Sequence, residues 1–281
     1  APPRGQWSGS FLNWAAMQTI DPFRWALTGG FRVVDTPSLT LLEKAWGSNQ
    51  GSTANYPDSS VSGATTLAGA TPFSSAAGIA TRIWSLGNKM RFMTSASGTP
   101  APNYTNTATP YDPSSTYNHG TLYEIFIRVK VCDPSATAGG LEANCVQYGK
   151  NSYKPTGLMQ QYSDKMRFSA FGYLNDSNLK RDGGVMRARQ KFIGPTMPVP
   201  GSTPVGNTKA EWDPTTGVFI TNPDPADASA TTSAIAAAGG TGSVTNSGVI
   251  NYLNKFGELG SGVYKTYDNV SEMYYAVQRY F

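Results

Sequence analysis

Apolar positions recur at helical spacing from the start of the chain. Phe11, Trp14 and Ala15 lie three to four residues apart, the spacing that lines one side of an α-helix. Ser10 can cap such a helix and Gly29-Gly30 can end it, since a hydroxyl accepts from a free backbone N–H and glycine adopts the left-handed closing conformation. Asp21-Pro22 falls inside the segment. Asp followed by Pro is a good helix start, so residues 10–28 read as two helices or one kinked helix. Phe31-Arg-Val-Val34 reads as a short strand. Thr36-Pro37 repeats the cap-and-proline logic and predicts a helix from Pro37 to Trp46, closed by Gly47.

Period-two patterns follow. Arg82-Ile-Trp-Ser-Leu86 and Lys89-Met-Arg-Phe-Met93 flank Gly87-Asn88, which predicts a β-hairpin. The clearest strand runs from Leu122 to Cys132. Tyr123, Ile125, Ile127, Val129 and Val131 share one face, and Glu124, Arg128 and Lys130 share the other. Thr156–Tyr162 reads as a short helix and Met166–Leu174 as a buried strand, with turns at Asn175–Asn178 and Arg181–Gly184. Helices are predicted over Ser247–Phe256 and Asp268–Tyr280, the latter with an apolar stripe of Val270, Met273, Tyr274 and Val277 after an Asp cap. Residues 47–81, 94–120 and 221–247 are rich in Ser, Thr, Gly and Ala and show no period. They are expected as surface insertions mostly outside regular elements, because they offer little apolar area to offset ordering entropy.

Composition narrows the class. The 281 residues suit one insert-rich domain or two small ones, and 12% aromatic residues supply a core. Charged residues are 14%, about half the usual share, a low-charge look common in extracellular proteins. The net charge of +4 is spread without a Lys/Arg run, so nucleic acid is not an expected partner. No apolar stretch approaches the roughly 20 residues of a membrane span. Ala1-Pro-Pro-Arg4 lacks the apolar core of a signal peptide, so the start reads as a mature or internal one. Cys132 and Cys145 have the spacing of one disulfide closing a hairpin-sized loop in a secreted protein.

Catalytic chemistry finds little support. His119 is the single histidine and stands in a polar loop between Asn118 and Gly120, poor material for a nucleophilic triad or a zinc site. No phosphate-cradling or dinucleotide glycine pattern appears. Asp176 and Asp182 lie in turn strings, where Asp is common for local reasons. Asp112-Pro-Ser-Ser-Thr116 and Asp133-Pro-Ser-Ala-Thr137 have a spacing that can hold Mg²⁺ or Ca²⁺. Asp213, Asp224 and Asp227 offer similar oxygens around Asn222–Asp227. The plainer reading of all these strings is turns, and the chain is expected not to be an enzyme.

The most specific signal is a resemblance. Gly5-Gln-Trp-Ser-Gly-Ser-Phe-Leu-Asn-Trp14, continuing to Ile20-Asp21 and Ala26-Leu-Thr-Gly-Gly30, resembles the Asn-Phe-Leu-Asn-Trp segment of PilY1/PilC-type proteins. Arg32-Val-Val-Asp35, Leu41-Leu-Glu-Lys44, Val129-Lys-Val-Cys-Asp133, Lys165-Met-Arg-Phe168, Gly172-Tyr-Leu-Asn175, Arg181-Asp-Gly-Gly-Val-Met-Arg187 and Ser271-Glu-Met-Tyr-Tyr275 fit the same family. The resemblance implies the N-terminal, von Willebrand A-like region of a type IV pilus tip-associated protein. Its fold would be α/β, a von Willebrand A-like core with long irregular insertions and β-hairpins. It would form one unit over residues 1–281 of a larger protein, and nothing in it resembles the family's C-terminal β-propeller.

The resemblance also implies a non-enzymatic adhesin and pilus assembly factor, extracellular, serving surface attachment and twitching motility. Its partners would be minor pilins at the pilus tip, the remainder of the parent protein and an unknown surface receptor. In the family's metal-dependent adhesion site, the first ligands would lie upstream of Ala1, the Thr position near Asp268 and the final Asp beyond Phe281. Asp268 is thus the candidate metal residue of a partial site, and Mg²⁺ or Ca²⁺ would bind only in the full-length parent. Trp7, Trp14 and Trp25 are the interface candidates, because three Trp and two Phe within residues 7–25 exceed what one helix face hides. The alternative is that they fill the core. The rival functional classes are a structural subunit of an extracellular filament or surface layer, and a secreted hydrolase.

Overall fold

Asp21-Pro22 marks the start of a second helix in the computed structural model, which describes residues 6–46, 58–62, 69–72, 80–114, 118–136, 140–173, 184–237, 239–256, 258 and 270–281. Helix α1 spans Gly9–Ala16 and α2 spans Ile20–Thr28. Ser8, not Ser10, caps α1, with its Oγ accepting from the Phe11 N–H at 3.4 Å. Gly29 ends α2 at φ +83°, and a Cβ there would stand 2.2 Å from the Pro155 carbonyl oxygen. Both the conformation and the close approach require glycine.

The helix predicted over 37–46 is instead half of a β-hairpin. Strand β1 (Arg32–Thr36) turns at Pro37-Ser38 into β2 (Leu39–Glu43). Thr36 Oγ1 accepts from the Leu39 N–H at 3.2 Å, so the Thr-Pro pair opens a turn here. Extended structure wins because β2 finds a ladder on each edge, which no local helix could offer.

A five-stranded sheet comes next, made of β3 (Asp58–Val61), β4 (Ala80–Leu86), β5 (Lys89–Ser95), β6 (Thr109–Pro110) and β7 (Tyr123–Phe126), in the order β3-β4-β5-β7-β6. The β4–β5 hairpin turns at Gly87-Asn88 as the pattern predicts. The strand predicted over 122–132 is broken at Ile127. Its first half, β7, pairs with β5, and its second half, β8 (Arg128–Val131), pairs with β2 in a separate three-stranded sheet. Ile127 joins them, donating to the Asn88 carbonyl at 3.0 Å and accepting from the Lys44 N–H at 3.1 Å. The first core lies beneath: Leu12, Ala15 and Ala16 of α1 pack against Ile83, Met90, Phe92, Tyr123 and Ile127.

The rest of the chain builds a second core. Hairpin β9 (Cys145–Tyr148) and β10 (Ser152–Pro155) leads to α3 (Leu158–Gln161), followed by the hairpin of β11 (Phe168–Tyr173) and β12 (Gly184–Lys191). Helices α4 (Pro225–Ala237), α5 (Val249–Lys255) and α6 (Val270–Tyr280) follow. Met159, Ala170, Ala188, Ile193, Trp212, Val249 and Ile250 form this core. Glu211 is buried and accepts from the Val249 and Ile250 N–H groups at 2.8 and 2.7 Å, capping α5 from another part of the chain.

The class is mixed α/β with several sheets. Apart from the two-residue contact of β6 with β7, the described pairings are antiparallel. The parallel, crossover-linked sheet of a von Willebrand A-like core is therefore not seen among the described residues, because hairpin turns leave no room for crossover connections. The expectation for 221–247 also changes. Asp224-Pro225 starts α4, with the Asp224 carboxylate accepting from the Asp227 N–H at 3.3 Å, and Ala-rich sequence carries it on. Within 47–81 and 94–120, described strands include β3 and β6. The turns predicted at 175–178 and 181–183, Asp176, Asp182 and the candidate metal residue Asp268 lie outside the described residues.

Candidate interaction surface

Cys132 follows β8 and Cys145 opens β9, and the two are joined by a disulfide with Cα atoms 5.6 Å apart, an ordinary separation for a bridge. It ties the three-stranded sheet to the β9–β10 hairpin. Glu142 accepts from the Cys132 N–H at 2.8 Å and stands beside both sulfurs. Sulfurs bonded to each other offer no thiolate to a metal.

The oxygen-rich strings act as turns and ion pairs. Asp112 accepts from the Ser114 N–H and hydroxyl at 2.8 and 2.7 Å. Asp133 accepts from the same two groups of Ser135 at 3.0 and 2.7 Å and pairs with Lys130 at 2.6 Å. Hydrogen bonds from Lys130 first, then Ser135, draw its carboxyl down to about 2. Thr116 and Thr137 lie outside the described residues. Asp213 closes a turn on Thr215 and Thr216. Asp224 sits 2.8 Å from Lys209 and 3.7 Å from Lys191, and Asp227 sits 3.0 Å from Arg189. His119 Nδ1 lies 3.0 Å from the Thr94 hydroxyl.

The three tryptophan candidates part company. Trp7 is half-buried and packs on the first core, 5.9 Å from Phe11 and 5.1 Å from Phe92 between ring centres. That is the core-filling outcome. Trp14 is 61% exposed and Trp25 51% exposed, with Phe23 and Met17 also open to solvent. Helix α1 buries only small residues and Leu12, and α2 buries Arg24 and Thr28. Leu12 and Phe11 of α1 and Leu27 of α2 turn inward, and Trp14, Phe23 and Trp25 are left on the outer sides of the two helices. Solvent exposure is the condition that an interface side chain has to meet, and Trp14 and Trp25 meet it.

Helix α6 presents a second such face. Val270, Tyr274, Tyr275 and Phe281 are exposed, while Met273 and Ala276 lie against Gly184 of β12. Tyr280 accepts from the Gln190 N–H at 3.1 Å and meets Phe171 edge-on. The sequence pattern shows the stripe of α6 but not which of its sides is covered.

A family profile described as the small alpha/beta domain of PilY1 homologues matches residues 1–106. That segment carries α1, α2 and β1–β5, while β6 and β7 complete the sheet beyond it. A type IV pilus biogenesis factor PilY1 homolog of Xylella fastidiosa (strain Temecula1) is 47% identical across 99% of this chain. The chain belongs to the PilY1-type proteins. A second PilY1 homolog of the same organism is 29% identical over 78% of the chain. The chain spans 22% and 15% of the lengths of these relatives. No solved structure matches it.

Two buried ionic joints hold this PilY1-type chain together beneath its exposed faces. At the first, the Arg24 guanidinium donates to the Asn254 carbonyl at 2.8 Å, Glu258 Oε1 at 2.5 Å and the Glu43 carbonyl at 2.9 Å. Asp21 approaches the same guanidinium at 3.4 Å and also accepts from the Ala45 N–H at 2.8 Å. Lys44, buried beside them, donates to Gln18 Oε1 at 2.9 Å and to the Ala45 and Gly87 carbonyls. At the second, Arg32 pairs with Asp35 at 3.1 Å and donates to the Gly217 and Pro155 carbonyls. Lys154 pairs with Asp35 at 2.8 Å and donates to the Thr40 hydroxyl and the Thr36 carbonyl. The Arg32 guanidinium stacks 3.6 Å over the Phe219 ring, and the Phe219 main-chain N–H donates to Asp35 at 2.9 Å.

Proposed function

We propose that this chain is a non-enzymatic part of a PilY1-type protein that acts outside the cell in type IV pilus biogenesis, surface attachment and twitching motility. The observation that carries the reading is the 47% identity over nearly the whole chain to a type IV pilus biogenesis factor homolog. Exposed Trp14 and Trp25 on a packed α/β scaffold support a binding rather than a chemical role. Its partners would be minor pilins at the pilus tip, the rest of the parent protein and a surface receptor. A Mg²⁺ or Ca²⁺ site would be completed by parent residues outside this chain.

Deleting the gene is expected to reduce surface pili, twitching and attachment, measured by pilus shear yield, stab-agar zones and adhesion counts. Complementation with Trp14→Ser plus Trp25→Ser should restore secretion of a folded protein but not full piliation. Unchanged pili, motility and attachment in the deletion strain would overturn the reading.

A further inference from the structure

The first ionic joint lies where the two cores meet. Helix α2 packs Leu27 into the second core, while Lys44 reaches the Gly87 turn of the β4–β5 hairpin and bonds the first. Between them stand Arg24 and Asp21 of α2, Glu43 of β2, Lys44, and Lys255 and Glu258 at the end of α5. Glu43 also binds Asn88 at 2.9 Å and Arg128 at 2.5 Å. Thr28 adds a bond to the Asn254 side chain at 2.7 Å. The Phe31 ring lies in the seam, 5.4 Å from the Arg24 guanidinium and 5.3 Å from Lys255, and the other groups that close it are ions and polar side chains. Buried ions lose hydration that their pairing only partly restores, so such a seam is the natural first point of local opening.

We propose that this α2–β2–α5 seam is a charge-controlled latch between the two cores, weakest near neutral pH and opening before either core unfolds. The proposal does not depend on the pilus reading. Burial above all pushes the Glu258 carboxyl up from 4.5 to about 7, against the pull of Arg24 and Lys255 and with the push of Glu43. Burial likewise pushes Lys44 down from 10.5 to about 8, against Asp21 and Glu258 and with Arg24. A carboxyl that binds its proton more tightly when folded favours the closed seam as pH falls from about 7 toward 4.5. An amine that sheds its proton more readily when folded favours it as pH rises from about 8 toward 10.5. Both charges are present together between those windows, and there the seam holds least.

Hydrogen exchange of the whole chain, followed by mass spectrometry and corrected for the intrinsic pH effect, tests this. Peptides from α2 and α5 should exchange about tenfold faster near pH 7.5 than near pH 5.5, and slow again near pH 9.5. Peptides from β4 and β5 should show no such minimum. Glu258→Gln should remove the acid limb and leave the alkaline one. A pH-independent α2 and α5, or an acid limb that persists in Glu258→Gln, would overturn the latch. Should the variant fail to fold, the wild-type profile alone decides.

Discussion

Arg24 and Arg32 are both 1% exposed at the side chain, and both reach across the molecule to bind main-chain carbonyls. Their carboxylate partners differ. Asp35 faces Arg32, Lys154 and the Phe219 N–H at once, so two cations and a dipole replace the water it has lost. Glu258 has one close guanidinium, shared with two carbonyls and Asp21, and Glu43 stands near enough to repel it. The second joint is a lock, two cations around one carboxylate, and the first is a compromise. Equal burial does not mean equal commitment, because the count and sign of the neighbours set the balance.

The sharpest way to break that contrast is at the lock. Lys154→Met leaves Asp35 buried with one cation fewer and should cost about 3–5 kcal/mol in urea unfolding. Glu258→Gln at pH 7.5 should cost under about 1 kcal/mol or even stabilise, since it removes a charge the fold holds poorly. Similar losses from the two variants would erase the distinction.

The bridge comes next. Cys132→Ser with Cys145→Ser should cost about 3 kcal/mol by loop entropy. It frees the β9–β10 hairpin on which Lys154 sits, so hydrogen exchange should rise around Thr36 and Thr40 and not around Arg24. A smaller loss, about 1 kcal/mol, is expected for Ser8→Ala, which removes the α1 cap and touches neither joint. The smallest belongs to Trp14→Ser and Trp25→Ser, each within about 0.5 kcal/mol if these rings lie open. A larger loss would mean that they pack on the fold.

The joints explain what the sequence could not disclose. Spacing groups Phe11, Trp14 and Ala15 on one side of α1, whereas the buried side is Leu12, Ala15 and Ala16 with Trp14 exposed; Gly87-Asn88 does announce its hairpin. Arg24, Lys44 and Lys154 look like ordinary polar positions, because Arg24 meets its partner 234 residues away and Lys154 meets Thr40 114 residues away. No local period carries such information. Thr36-Pro37 and Asp224-Pro225 are equivalent as local signals, yet the first opens a turn and the second a helix. The strand partners of β2 decide one, and the alanines after Pro225 decide the other. Trp14, Phe23 and Trp25 were legible among the surplus aromatics, whereas Met17 needed the buried faces of both helices to be known.

The run from Tyr123 to Val131 serves two sheets through the single residue Ile127. A slip of one residue on β5 would carry Arg128 and Lys130 to the side now held by Val129 and Val131, and would spoil the ladder on β2 as well. Each sheet thereby proofreads the alignment of the other. A misthreaded run would therefore strain both ladders at once, which couples the alignment against residues 40–43 to that against residues 89–92.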